Sequence, residues 1–207
     1  TVMTFGFDSA VACATDALDR LHTTAESHNR VMVLEVMGRY AGWIALYAGV
    51  AGGAGVILLP EIPFTYESIC NKITEREGLG KKFTLVVVAE GAREKGHDFV
   101  TSGGQEANRE ARLGGIGAVV TAELEKRTGK EARVCVLGHL QRGGSRTTFD
   151  RALCTMFGAH AVELIAAGKF GTMVAYLGSQ VGSVNISEAV GRLKTVRPDG
   201  SLARTAR

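Results

Sequence analysis

The stretch Val31-Met32-Val33-Leu34-Glu35-Val36-Met37-Gly38-Arg39 decides the fold. Its first six residues are β-prone and nearly all apolar, and the run stops at a glycine and a cation. Such a run predicts a strand covered on both faces, as in parallel sheets. Runs of the same character lie at residues 56–59, 84–89 and 133–137, with a weaker one at 173–177. Between them, helical spacing covers residues 9–26, 42–51, 66–75, 109–127, 149–167 and 187–193. Strands alternating with helices predict an α/β fold, with a mostly parallel sheet and helices on both faces.

Charge sets further limits. The 207 residues carry 24 Lys and Arg against 21 Asp and Glu, a net charge of only +3. That balance gives no reason to expect nucleic acid or an anionic membrane, so an anion site must come from a few placed cations. No apolar run approaches the ~18 residues of a membrane span. Cys13, Cys70, Cys135 and Cys154 form no CxxC pair and have no zinc-like spacing to a histidine. They read as reduced thiols of a cytoplasmic protein. Thr1 opens almost directly onto a helical segment, with no initiator Met. The glycine-rich loop at 91–106 is expected to be mobile, and the tail at 197–207 to fray.

Parallel sheets bind ligands at the carboxyl ends of their strands. The first strand runs into Met37-Gly38-Arg39, the third into Glu90-Gly91, and the fourth into His139-Leu140-Gln141-Arg142-Gly143-Gly144-Ser145. Arg142 offers a planar fork suited to phosphate oxygens, and the glycine pair lets backbone approach an anion. A solvated arginine beside a core histidine reads equally well. Glu90 fits sugar hydroxyls or a structural ion pair. Arg30 and Arg133 stand at strand starts, away from this cluster, where they either cap the sheet's other edge or serve another subunit. Gly114-Gly115-Ile116-Gly117 lies within a helical pattern and reads as helix packing rather than a dinucleotide loop. Lys81-Lys82 reads as a solvated edge.

Glu35-Val36-Met37-Gly38-Arg39-Tyr40-Ala41-Gly42 resembles the EVMGR-x-x-G motif of 6-phosphofructokinases. Gly138-His139-Leu140-Gln141-Arg142-Gly143-Gly144-Ser145, followed by Asp150-Arg151, resembles their GH-x-QRGG-S signature. Glu90 and the segment from Arg112 to Gly138 match in order and spacing. The resemblance implies phosphoryl transfer from ATP, or from pyrophosphate, to the 1-hydroxyl of fructose 6-phosphate with Mg²⁺. It implies that Met37, Gly38 and Arg39 line the sugar-phosphate site, with Arg39 carrying transition-state charge. Glu90 would hold sugar hydroxyls, and His139, Leu140, Gln141 and Arg142 would complete the site. Arg30 and Arg133 would reach the 6-phosphate of a neighbouring subunit in a homo-oligomer.

The resemblance also implies an incomplete two-domain fold. Residues 1–140 would form most of the second domain, 141–184 would belong to the first, and 185–207 would return to the second and end in a polar tail. The helix at 149–167 would then lack a partner for Leu153, Met156, Phe157, Val162 and Leu164. The family's base loop and donor loop do not occur here, so no catalytic base, donor-site residue or metal ligand is assigned. The isolated chain is expected to be inactive; the alternative is a non-catalytic sugar-phosphate-binding module. Asp8 matches a helix-start position and is expected to cap its helix. Gly55 stands where allosteric members carry a metal-holding glutamate, which implies weak regulation by ADP or phosphoenolpyruvate.

Overall fold

The computed structural model describes residues 1–101, 113–191 and 193–206. Four parallel strands form the main sheet: β1 (Val31–Val36), β2 (Val56–Leu58), β3 (Thr84–Ala89) and β4 (Ala132–Val136), in the order β2-β3-β1-β4. β1 and β3 are buried at every position, as their unbroken apolar runs predict. β4 differs. It is one of the two edge strands, and Val134 and Val136 are exposed, so it is not covered on both faces as expected.

Helices α1 (Phe7–His28) and α2 (Trp43–Ala51) pack on one face of the sheet through Leu18, Leu46, Leu34 and Leu85. Helices α3 (Tyr66–Gly78) and α4 (Ile116–Thr128) cover the other through Ile69, Ile73, Val120 and Leu124, against Val33 and Val86. Alternate residues of each central strand thus feed alternate cores, which is the two-residue period of a strand.

α4 starts at Ile116 rather than in the pattern's first turn; residues 109–112 lie outside the described residues, as do residues 102–106 of the loop expected at 91–106. Gly115 is its left-handed N-cap, with φ of 90°. Gly114–Gly117 is therefore a helix start, not helix interior. Its amides serve a buried carboxylate: Gly115 N–H donates to Glu35 Oε1 at 3.1 Å and Gly117 N–H to Oε2 at 2.7 Å. The partial positive charge of the helix start and these two bonds offset the cost of burying Glu35 in β1.

Beyond the main sheet, a 3₁₀ turn (Gly138–Arg142) leads to α5 (Thr148–Ala166). An antiparallel hairpin follows, β5 (Thr172–Tyr176) with β6 (Val181–Asn185). The sequence pattern showed β5 but not β6, whose Gly182 and Ser183 dilute the strand signal. Leu153 and Leu164 of α5 are buried, and Phe149 meets Tyr176 edge to face. That side of the helix has a partner, whereas Met156 and Val162 are exposed. α6 (Ile186–Val190) follows β6. The tail expected to fray instead forms α7 (Ser201–Thr205), with Val196 and Ala203 buried in the α1–α2 core. Glu61 fixes this return: its Oε1 receives Val196 N–H at 2.8 Å and Gly42 N–H at 3.1 Å.

Candidate functional site

Parallel register builds the site. Val36 pairs with Ala89, and Glu35 pairs with Val136, so residues 37, 90 and 138 leave the sheet side by side. Glu90 N–H donates to Val36 carbonyl at 2.9 Å, and Leu137 N–H to Glu35 carbonyl at 3.1 Å, extending the ladder to its last residues. Around these ends lies a cavity of about 1120 Å³, walled by Met37, Gly38, Arg39, Glu90, His139, Gln141 and Arg142 among others.

The Met37–Arg39 turn is strained and held from below. Gly38 has φ of 149°, and a Cβ there would lie 2.6 Å from Ala41 carbonyl. Arg39 sits at φ of 50°, a left-handed conformation costly for a residue with a side chain. Glu90 Oε1 accepts both N–H groups of the turn, from Gly38 at 3.1 Å and from Arg39 at 2.9 Å. Glu90 thus fixes the backbone that presents Arg39. Gly91 lets the turn come this close, because a Cβ at 91 would run into Arg39 carbonyl.

The 3₁₀ turn supplies the opposite wall. His139 and Arg142 are exposed and face the cavity, so His139 is not a core residue. Gln141 is buried; its Nε2 donates weakly to Gly138 carbonyl at 3.4 Å, and its Oε1 is buried without a partner. Leu140 stands apart from the wall: it is 69% exposed, and its carbonyl faces Cys13 Sγ at 3.8 Å.

The start of α1 forms a third wall through Thr4, Phe5, Gly6, Phe7 and Ser9. Asp8 does not cap this helix; its N-cap is Gly6, which has no capping side chain. Asp150 performs the capping from α5, accepting N–H from Gly6 at 2.9 Å and from Ser9 at 2.8 Å. A carboxylate already occupies this helix N-terminus, so it is not where a phosphate would dock. Sequence reading missed this cap because Asp150 is 141 residues from Ser9.

Arg30 and Arg133 lie at the opposite edge of the sheet, about 20 Å from the cavity for a strand of this length. Glu131 joins them. Arg30 Nε donates to its Oε2 at 2.5 Å, and Arg133 pairs with its Oε1. The Arg30 hydrogen bond, with Arg133 alongside, holds the Glu131 carboxyl below its ordinary pKa. One subunit therefore does not bring these arginines to its own cavity.

Among the described residues no group of three or more His, Cys, Asp or Glu could hold a metal ion, and Glu90 is the sole carboxylate in the cavity wall. These residues do not make a Mg²⁺ site. No helix among the described residues is long and apolar enough to cross a membrane.

A parallel sheet gathering cations, one carboxylate and a strained turn at its carboxyl end defines an α/β protein with a cation-lined strand-end pocket. Residues 1–165 match the phosphofructokinase family model, and the chain belongs to that family. It is 56% identical over all 207 residues to an ATP-dependent 6-phosphofructokinase of Chloroflexus aggregans, covering 56% of that protein. It is 53% identical over 201 residues, 96% of the chain, to a pyrophosphate–fructose 6-phosphate 1-phosphotransferase of Amycolatopsis methanolica, covering 58% of it. Phosphofructokinase from Saccharomyces cerevisiae superposes with a TM-score of 0.78 at 33% identity, over 91% of this chain and 24% of the yeast chain. The chain spans little more than half the length of the curated relatives it matches.

Proposed function

We propose that this chain supplies the fructose 6-phosphate side of a 6-phosphofructokinase site. The observation that carries this reading is the convergence of Met37, Gly38, Arg39, Glu90, His139 and Arg142 on one strand-end cavity. Arg142 and His139 would meet the 6-phosphate, where a guanidinium fork matches phosphate oxygens. Glu90 Oε2 would accept from sugar hydroxyls while Oε1 holds the turn. Arg39 would face the transferred phosphoryl group, whose transfer is mostly positioning and charge neutralisation. ATP or pyrophosphate would serve as donor, with Mg²⁺. The relatives include both donor types at similar identity.

Arg30 and Arg133 would complete the cavity of a neighbouring copy in a homo-oligomer. Their position at the far edge supports this, because they have no reach to their own cavity. Four free thiols fit a reducing, cytoplasmic setting.

The test is a turnover assay of the protein carrying this chain, with fructose 6-phosphate and each donor in turn, beside calorimetry with the sugar phosphate. Turnover with one donor, and a KM for fructose 6-phosphate that rises in Arg142→Ala, is the expected result. Binding without turnover by either donor would favour a sugar-phosphate-binding module. No binding would overturn the reading.

A further inference from the structure

The wall of the cavity holds a cation that the sequence motifs do not single out. Arg146 follows the Gly143-Gly144-Ser145 segment, and its guanidinium turns back onto that segment's backbone. Nη1 donates to Gly143 carbonyl at 3.0 Å and to Gly144 carbonyl at 2.9 Å, and Nη2 donates to Arg142 carbonyl at 2.9 Å. Three consecutive carbonyls thus converge on one side chain. Arg146 carbonyl in turn accepts from Arg151 Nε at 3.0 Å, which ties the turn to α5.

We infer that Arg146 is a positioning residue for Arg142, gripping the glycine pair so that the Arg142 side chain is presented in one orientation. The inference rests on the proposed sugar-phosphate site. Two glycines in succession leave the chain after Arg142 with more conformational freedom than any other pair of residues. Gly144 takes a left-handed φ of 73°, and Gly143 is extended. Nothing in the backbone ladder fixes these two peptide groups beyond Gly143 N–H to Leu140 carbonyl at 3.1 Å. The guanidinium supplies what the glycines lack. Its rigid, planar donors can serve several carbonyls at once, which an ammonium on a flexible stem does not reproduce. A cation committed to carbonyls is also a poor ligand for substrate phosphate, so Arg146 acts through Arg142 rather than on the ligand.

Charge and geometry separate in two substitutions, Arg146→Lys and Arg146→Ala, made in the whole protein. Both are expected to raise KM for fructose 6-phosphate by about tenfold, the effect of losing charge-assisted hydrogen bonds that orient a ligand group. KM for the phosphoryl donor should stay as in wild type. Thermal melting reports folding, and Arg146→Lys, which keeps stem and charge, serves if the alanine variant does not fold. Arg20→Ala, an exposed guanidinium on α1 paired with Asp16, is the control for charge loss alone and should leave KM unchanged. Full recovery of KM in the lysine variant would reduce Arg146 to its charge and overturn the inference. So would an unchanged KM in both variants. A wild-type protein that does not bind fructose 6-phosphate would overturn the site reading and the inference together, a result distinct from either.

Discussion

Ser9 on α1 donates both its backbone N–H and its hydroxyl to Asp150 Oδ2, at 2.8 and 2.5 Å, although Asp150 belongs to α5. Gly6 N–H takes the other oxygen, and Ser9 Oγ accepts from Thr147 N–H at 3.1 Å. The starts of two helices are thus one hydrogen-bonded unit beside the cavity. Asp150 is 2% exposed, so removing its carboxylate strands the two buried donors of Ser9 and leaves the half-buried Gly6 N–H without its acceptor. Asp150→Ala is expected to cost about 3 kcal/mol, at roughly 1–3 kcal/mol for each donor left unmet, less whatever water recovers. Asp150→Asn should also destabilise, because its amide sets an N–H₂ against donors. Thermal or urea unfolding measures both, and a loss below about 1 kcal/mol would mean that water replaces the cap.

Gly91 permits the close approach of β3's exit to the Arg39 turn. A methyl group there would occupy the position of Arg39 carbonyl, which is backbone and cannot rotate away. Gly91→Ala is therefore expected to displace the turn from Glu90, at a cost of about 1–3 kcal/mol for overpacking. KM for fructose 6-phosphate should rise by about tenfold, as misplacement of an orienting group does. Steady-state kinetics beside a melting curve checks both, and an unchanged KM would show that the turn does not shape the sugar-phosphate site.

How much of this was legible in the sequence follows from range. β1 and β3 were readable to the residue because burial on both faces leaves an unbroken apolar run. That Met37, Gly38, Arg39, Glu90, His139 and Arg142 share one edge followed, since parallel register brings strand exits together; their roles there rest on the resemblance. What escaped depends on partners distant in the chain. The Asp150 cap, the amides that receive Glu35 and the Glu61 hold on Val196 each join segments more than 75 residues apart. α7 escaped because Leu202 and Ala203 give too short an apolar period to stand out among charged neighbours. Arg146 had a local signal, an arginine four residues past Arg142 across a glycine pair, but only geometry shows its donors turned onto backbone.

The Arg30–Glu131–Arg133 cluster predicts an acid-sensitive edge. The Glu131 carboxyl has its pKa lowered by Arg30 and Arg133, so the folded state favours its ionised form. Its contribution to stability is fully present above the ordinary carboxylate pKa and is lost as pH falls through the depressed value. Glu131→Gln should lower the melting temperature at pH 7, and the gap from wild type should close as pH drops below about 4. If the two arginines also serve a neighbouring copy, Glu131→Gln should change KM for the sugar phosphate at neutral pH. Melting curves across pH test the first statement; a gap that stays constant down to pH 3 would show that the cluster adds nothing through ionisation.

Gly55 and Arg76 bear on regulation. A Cβ at 55 would lie 2.7 Å from Arg76 Nε, so the space open to a carboxylate at 55 already borders a guanidinium. Arg76 Nε is buried without a hydrogen-bond partner. A cation there repels a metal ion, and the glycine offers no ligand to hold one. ADP and phosphoenolpyruvate are accordingly expected to shift fructose 6-phosphate affinity by less than about twofold, against the roughly 5–150-fold range of allosteric coupling. Gly55→Glu sharpens the test. Its carboxylate should pair with Arg76, whose flexible end can give way, and so raise the melting temperature without creating an effector response. An effector response in the wild type, or one gained by Gly55→Glu alone, would show that Arg76 yields this space to a bound metal.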